Sequence, residues 1–349
     1  MKLSIAGGVG EHGRSCYFVE GNAGAFLVDC GIAAGESDPW PRLSNAQIEA
    51  ARALFLTHVH KDHTGAIDWL IGRGFAGAIV ATRETFAQLE MTPPGMRVLE
   101  DGGSPLSRLV IEWGRAGHCA GSVWYRFSDT SGSALLSGDY TEASSVYTCD
   151  PIRRKTADIA VLDAAYGKSS VAAQEAVRAF LDGVPTNAPA LFPVPKHGRG
   201  PEMALLLRQK YPDIAVCGDA AFVRTVRTLS DKRDWIRPDC TAALRDMPIA
   251  PLVGIPTGPC FCFLMDAQLA KPSTHAFAEE FGRHGLVIVT GHADPGGGAR
   301  VMLDAGSAQM SRFPVHQTLA EAEALAGRNT FAEAVYAHSP ALRPSIMLL

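Results

Sequence analysis

Four side chains within six residues, His58-x-His60-x-Asp62-His63, constrain this chain more than any other stretch of it. They follow an apolar run at residues 53–56, which reads as a buried strand, and lead into Thr64-Gly65-Ala66, a small-residue helix entry. Imidazole nitrogen and carboxylate oxygen both suit zinc or manganese. On a tight turn after a strand, such side chains can diverge to two neighbouring ions. Two distant segments can complete a site of that kind. Gly117-His118-Cys119-Ala120-Gly121-Ser122 sets a glycine-flanked histidine between β segments, and Ser137-Gly138-Asp139-Tyr140 puts a carboxylate just after a strand. In this reading Asp139 bridges both ions, and a water held between them is ionised near neutral pH.

The periodicity changes along the chain. The first part predicts strands at residues 3–6, 16–20, 25–29, 53–56, 78–81, 123–127 and 134–137, with helices at 44–53 (Ser44 as N-cap) and 67–72. After about residue 168, strands at 191–194, 214–217, 260–265 and 286–290 alternate with helices at 201–210, 220–229 and 274–281, the signature of a parallel, doubly wound sheet. A helix at 319–326 and a strand at 333–337 close the pattern. The stretch 234–258, with several prolines, reads as the least structured. Gly8-x-Gly10-x-x-Gly13 has dinucleotide-fingerprint spacing, but another strand follows where a helix is required, so these glycines are read as a hairpin turn.

Composition excludes some classes. A net charge of −4 is not that of a dedicated nucleic-acid binder, although a local basic cleft or metal ions would suffice to attract phosphate. No apolar run is long enough to span a bilayer, and Met1-Lys2-Leu3-Ser4-Ile5-Ala6 moves straight into glycines without a signal peptide's apolar stretch. The eight cysteines (16, 30, 119, 149, 217, 240, 260 and 262) contain no Cys-x-x-Cys and read as small buried hydrophobes in a reducing cytoplasm. No aromatic-rich platform for stacking bases is evident.

The order His-x-His-x-Asp-His, then Gly-His, then Gly-Asp resembles the metallo-β-lactamase superfamily. The segments Gly7-Gly8-Val9-Gly10-Glu11-His12-Gly13-Arg14-Ser15-Cys16-Tyr17 and Leu27-Val28-Asp29-Cys30-Gly31 look like its β-CASP branch, which contains ribonuclease J and the pre-mRNA 3′-end endonuclease. The resemblance covers nearly the whole chain. It implies an α/β protein, a metallo-β-lactamase αββα sandwich, with an inserted small α/β (β-CASP-like) domain. The expected boundaries are 1–168 for the first part of the metal domain, 169–311 for the insertion and 312–349 for the C-terminal completion.

The branch adds three further acidic or histidine positions. Asp163, in Val161-Leu162-Asp163-Ala164-Ala165-Tyr166-Gly167, matches an acid in a Glu-Ser-Thr-Tyr-Gly-like segment, with the serine and threonine replaced by alanine. His316 precedes the helix at 319–326, and His338 ends the following strand. In this register His338 is the last metal ligand. In the competing register, Gly291-His292-Ala293 takes the penultimate role and His316 the last; otherwise His292 is a buried histidine or a substrate contact. Pro193-Val194-Pro195-Lys196-His197-Gly198-Arg199-Gly200-Pro201-Glu202-Met203 looks like the family's Gly-Arg-x-x-Glu helix start, where free amides and Lys196 or Arg199 would favour a phosphate.

The resemblance thus implies a metal-dependent phosphodiesterase acting on RNA. His58, His60 and His118 would hold one divalent ion and Asp62, His63 and His338 the other, with Asp139 shared. Zinc is expected and manganese is compatible. Asp62, Asp163 and His316 are the expected catalytic residues, and a homodimer is compatible with the pattern. The rival readings are a DNA nuclease of the same branch, a hydrolase of a small ester, lactone or nucleotide, and a non-catalytic subunit.

Overall fold

Short apolar runs at the N-terminus assemble around one aromatic layer. The computed structural model describes residues 1–340. Contacts divide the chain into two units, one made of Met1–Glu142, Cys149–Ser170 and the described residues from His316 on, the other of Ala143–Thr148 and Val171–Val315.

The first unit is the αββα sandwich. One sheet runs Lys2–Gly7, Cys16–Gly21, Gly24–Val28, Ala51–Phe55, Ala78–Ala81, Met96–Val98 in spatial order, antiparallel over its first three strands and parallel thereafter. The other runs Thr330–Ala337, Thr156–Asp163, Gly132–Leu136, Val123–Asp129, Val110–Arg115. Phe26 and Phe55 of the first sheet meet Tyr125 and Phe127 of the second at centroid separations of 4.7–5.8 Å. All four rings are fully buried, each contributing about 1.5–3 kcal/mol of burial. Outside the sheets, Ile48, Ile67, Leu70 and Phe86 cover one outer face, and Ala322 and Leu325 cover the other.

The second unit is a six-stranded, all-parallel sheet in the order Ile249–Pro251, Ala215–Gly218, Cys260–Leu264, Ala190–Pro193, Leu286–Val289, Gln309–Met310. Its central strands Cys260–Leu264, Ala190–Pro193 and Leu286–Val289 read as continuous apolar runs, as parallel strands covered on both faces require. Buried Glu202 accepts from the Ser144 and Ser145 hydroxyls and the Ser145 amide, which explains why residues 143–148 group with this unit.

Local differences from the sequence reading have simple causes. The helix capped by Ser44 is a capping box with Gln47 but ends at Ala50, because Ala51 already pairs with Ala25. The stretch expected to be least structured contains the helix Thr241–Asp246 and the strand Ile249–Pro251. That strand lies at the sheet edge, where a proline removes no ladder hydrogen bond. Among the described residues no helix is long and apolar enough to cross a membrane.

Candidate metal centre

The strand Ala51–Phe55 delivers the histidine run, and its exit is fixed on three sides. The Tyr125 hydroxyl donates to Leu56 O at 2.9 Å, the Val123 amide to Thr57 O at 2.9 Å, and the Thr57 amide to Asp29 Oδ1 at 2.7 Å. Glycine is required at two contacts. A Cβ on Gly31 would lie 1.7 Å from Asp62 O, and Gly138, at φ +54°, would bring one to 2.7 Å from Thr57 Cβ. Without these approaches, neither the 61–64 turn nor Asp139 could sit where it does.

Two donor sets result. His58, His60, His118 and Asp139 form the first, and Asp62, His63, Asp139 and His338 the second. In the first, His60 Nδ1 lies 3.1 Å from His58 Nε2 and 3.2 Å from His118 Nε2, and Asp139 Oδ2 lies 3.4 Å from each of those Nε2 atoms. Donors about 2.0–2.2 Å from a tetrahedral ion lie about 3.3–3.6 Å apart, so this set has the size of a zinc shell. In the second, Asp139 Oδ1 is 3.1 Å from both His63 Nε2 and His338 Nδ1, and Asp62 Oδ2 is 3.1 Å from His338 Nε2. His338 Nδ1 is buried and makes no well-aligned hydrogen bond, its near neighbour being Asp139 Oδ1. Both donor sets, all nitrogen and oxygen, fit divalent zinc or manganese.

Burial and charge tune these groups in opposite directions. Burial alone would raise the Asp139 carboxyl, but His338, His63, His316 and His58 outweigh it and hold it well below the usual range. Asp62 behaves likewise: burial raises it, and His63 and His338 bring it well below. Burial would lower His63 and His338, yet Asp139, aided by Asp29 and by Asp62 respectively, pushes both well above the ordinary imidazole value. Burial, reinforced by His316, His60 and His58, keeps His118 well below it despite Asp139, leaving the neutral ring that a metal needs.

Beside these sets lies a second carboxylate–histidine pair. The strand register sets Asp163 opposite Ala337, next to His338. Asp163 Oδ2 accepts from the Tyr140 amide at 2.9 Å and lies 3.0 Å from His316 Nδ1, and Oδ1 accepts from the Ala165 amide at 3.0 Å. Asp163 and His316 also lie within reach of Asp139 and His338. The remaining sequence candidates lie in the second unit. His292 pairs with Asp294 at 3.6 Å, Arg199 Nε donates to Thr290 Oγ1 at 3.0 Å, and Lys196 is exposed.

Sequence reasoning passed over three contributors. Asp29 accepts from Thr57 Oγ1 and lies 2.8 Å from His63 Nδ1, fixing that ring while Nε2 faces Asp139. It sits at φ +58°, a conformation Asp tolerates better than most residues. His12 stacks on His338 with centroids 4.6 Å apart and planes within 6°. Ser15 Oγ lies 3.4 Å from His63 Nε2. All three lie in the two segments that carry the branch resemblance, and Asp29 left a further signal, a carboxylate closing an apolar strand two residues before Gly31.

Comparison with known proteins agrees with this geometry. Residues 9–182 match the Metallo-beta-lactamase superfamily model. Curated relatives include the transcription termination factor FttA of Cenarchaeum symbiosum, 26% identical over 59% of this chain and 39% of that protein. Ribonuclease TTHA0252 of Thermus thermophilus is 26% identical over 52% and 48%. Cleavage and polyadenylation specificity factor 73 of Drosophila melanogaster is 33% identical over 25% and 13%. The chain therefore spans well under two thirds of the length of these relatives. A solved structure, a protein of unknown function from Enterococcus faecalis V583, shares the fold over 97% of this chain and 94% of its own, with a TM-score of 0.59 and 14% identity.

Proposed function

We propose, from the premise that this chain belongs to the metallo-β-lactamase superfamily with relatives in its β-CASP branch, that it is a metal-dependent phosphodiesterase that hydrolyses RNA. The observation that carries this reading is Asp139, which offers one carboxylate oxygen to each of two adjoining donor sets. His58, His60 and His118 would hold one divalent cation and Asp62, His63 and His338 the other, with zinc the expected metal. Two such cations supply Lewis acidity at the phosphoryl oxygen and a water ionised near neutral pH.

The chain's own groups do the rest. Asp62, partly exposed, orients the attacking water. Asp163 accepts the Nδ1 proton of His316 and so aims the opposite nitrogen, Nε2, at the phosphate or the departing oxygen. Its carboxylate already accepts two backbone amides, which favours a holding role over metal ligation. Lys196 and Arg199 are proposed as phosphate contacts and His292 as a substrate contact. RNA is favoured because one relative is a ribonuclease by name. Eight free thiols fit a reducing cytoplasm.

The test is to incubate purified protein with labelled RNA, single-stranded DNA and a generic phosphodiester, with and without chelator. Chelator-sensitive RNA cleavage is expected. Hydrolysis of only the small diester, or cleavage that survives metal removal, contradicts the reading.

A further inference from the structure

Trp40 and Trp69, far apart in sequence, stack with ring centroids 5.7 Å apart and planes within 4°. Trp69 packs against the core of the first sheet's outer face, and the Arg73 guanidinium lies 5.2 Å from its ring centroid. Trp40 lies on top of this anchored ring and is 37% exposed. Trp40 thus keeps over a third of its surface in water while its ring lies parallel to a second indole.

The backbone that carries Trp40 is also held. Arg14 Nη1 donates to Asp38 O and Trp40 O on either side of Pro39, and Pro39 O accepts from the Ala33 amide. Arg14 is itself gripped by Glu11 through Nε and Nη2, and Glu11 also pairs with the exposed Arg42. The loop that supplies Glu11 and Arg14 also carries His12, stacked on His338, and Ser15, beside His63. One short loop therefore connects the tryptophan stack to the candidate metal centre.

We infer that the Trp40–Trp69–Arg73 stack is a binding site for an unpaired nucleobase of a single-stranded RNA. The inference deepens the nuclease reading and rests on it for the choice of RNA. Every base has a π-face, so a flat, pre-ordered indole binds bases without reading sequence. Because the Trp40 ring already rests on Trp69 and its backbone is held by Arg14, less side-chain entropy is lost on stacking than for a free surface ring. Arg42, largely exposed although paired with Glu11, and Arg73, which makes a cation–π contact with Trp69, place two guanidinium groups near the stack for the flanking phosphates.

The test uses metal-loaded protein and a labelled phosphorothioate oligouridylate, which resists hydrolysis. An abasic oligomer of equal charge and an RNA duplex are the comparison ligands. Trp40→Leu keeps apolar cover without a ring, and Trp40→Phe keeps a ring. Loss of one stacked base corresponds to about a 5- to 150-fold loss of affinity. Trp40→Leu should show a loss in that range for oligouridylate and none for duplex, with an unchanged salt slope, and Trp40→Phe should recover most of it. Metal content and thermal unfolding check that the variants are folded. The abasic comparison on unaltered protein serves if Trp40→Leu is not.

Equal affinity of Trp40→Leu and native protein, or equal native affinity for the abasic oligomer, overturns the platform and leaves the nuclease reading standing if RNA is still cleaved. The expected binding pattern without any RNA cleavage overturns the nuclease reading and leaves the platform. No binding of RNA at all overturns both.

Discussion

The two donor sets share Asp139 but are assembled in different ways. The first, His58, His60, His118 and Asp139, draws on the first 139 residues, with two of its ligands on a single strand exit. The second is closed by His338, which lies 276 residues from Asp62 and reaches the site from the end of the strand Thr330–Ala337 at φ +67°. A non-glycine residue in that conformation costs about 1–3 kcal/mol, so the surrounding structure must hold it there. The His338 amide donates to Gly8 O and its ring lies against His12. The first set joins the local pair His58 and His60 to His118 and Asp139 from two later segments, while the second also needs His338 from beyond the strand Thr330–Ala337.

That contrast can be broken at graded points. The largest effect is expected from Asp139→Ala, which removes an oxygen from both sets. Bound metal should fall to near zero by elemental analysis, and RNA cleavage should fall by more than the roughly 100-fold upper range of an outer-sphere loss. His338→Ala should remove one ion and spare the other. Retention of both would move the second set's closing ligand elsewhere, with His316 the first place to look. Asp163→Ala should keep most of its metal yet lose about 10- to 100-fold in RNA turnover, because His316 loses the acceptor that orients it. Near-normal turnover would reduce Asp163 to a turn cap.

Two smaller changes sharpen the comparison. Asp29→Asn weakens the acceptor that fixes His63, so zinc affinity of the second set should drop by about 10-fold with that of the first unchanged in a competitive chelator titration. Tyr125→Phe removes the hydroxyl bond to Leu56 O and should cost about 0.5–1.5 kcal/mol in thermal unfolding, because it loosens the strand exit that serves both sets.

What could be read from the sequence followed local spacing rather than membership of one set or the other. His58, His60, Asp62 and His63 are legible because their spacing carries the chemistry, and Asp139 because it closes an apolar strand next to a glycine. The strands of the first unit follow from short apolar runs such as 123–127, the sandwich from the family resemblance, and the parallel sheet from apolar runs such as 260–264 that alternate with helices. Contacts that depend on three-dimensional register are not legible in this way. Asp29 reaches His63 only after its strand pairs in parallel with Ala51–Phe55. The Trp40–Trp69 stack depends on a loop held by Arg14. Glu202 looks like a helix-entry acid until its partners, Ser144 and Ser145, are seen on a segment some 57 residues earlier.

The most direct test of the account is to strip the protein of metal, titrate zinc back and follow RNA cleavage against bound zinc per chain. With Asp139 joining two sets that act together, cleavage should stay near background through the first equivalent and appear with the second. Full cleavage at one equivalent, or in stripped protein, would contradict it.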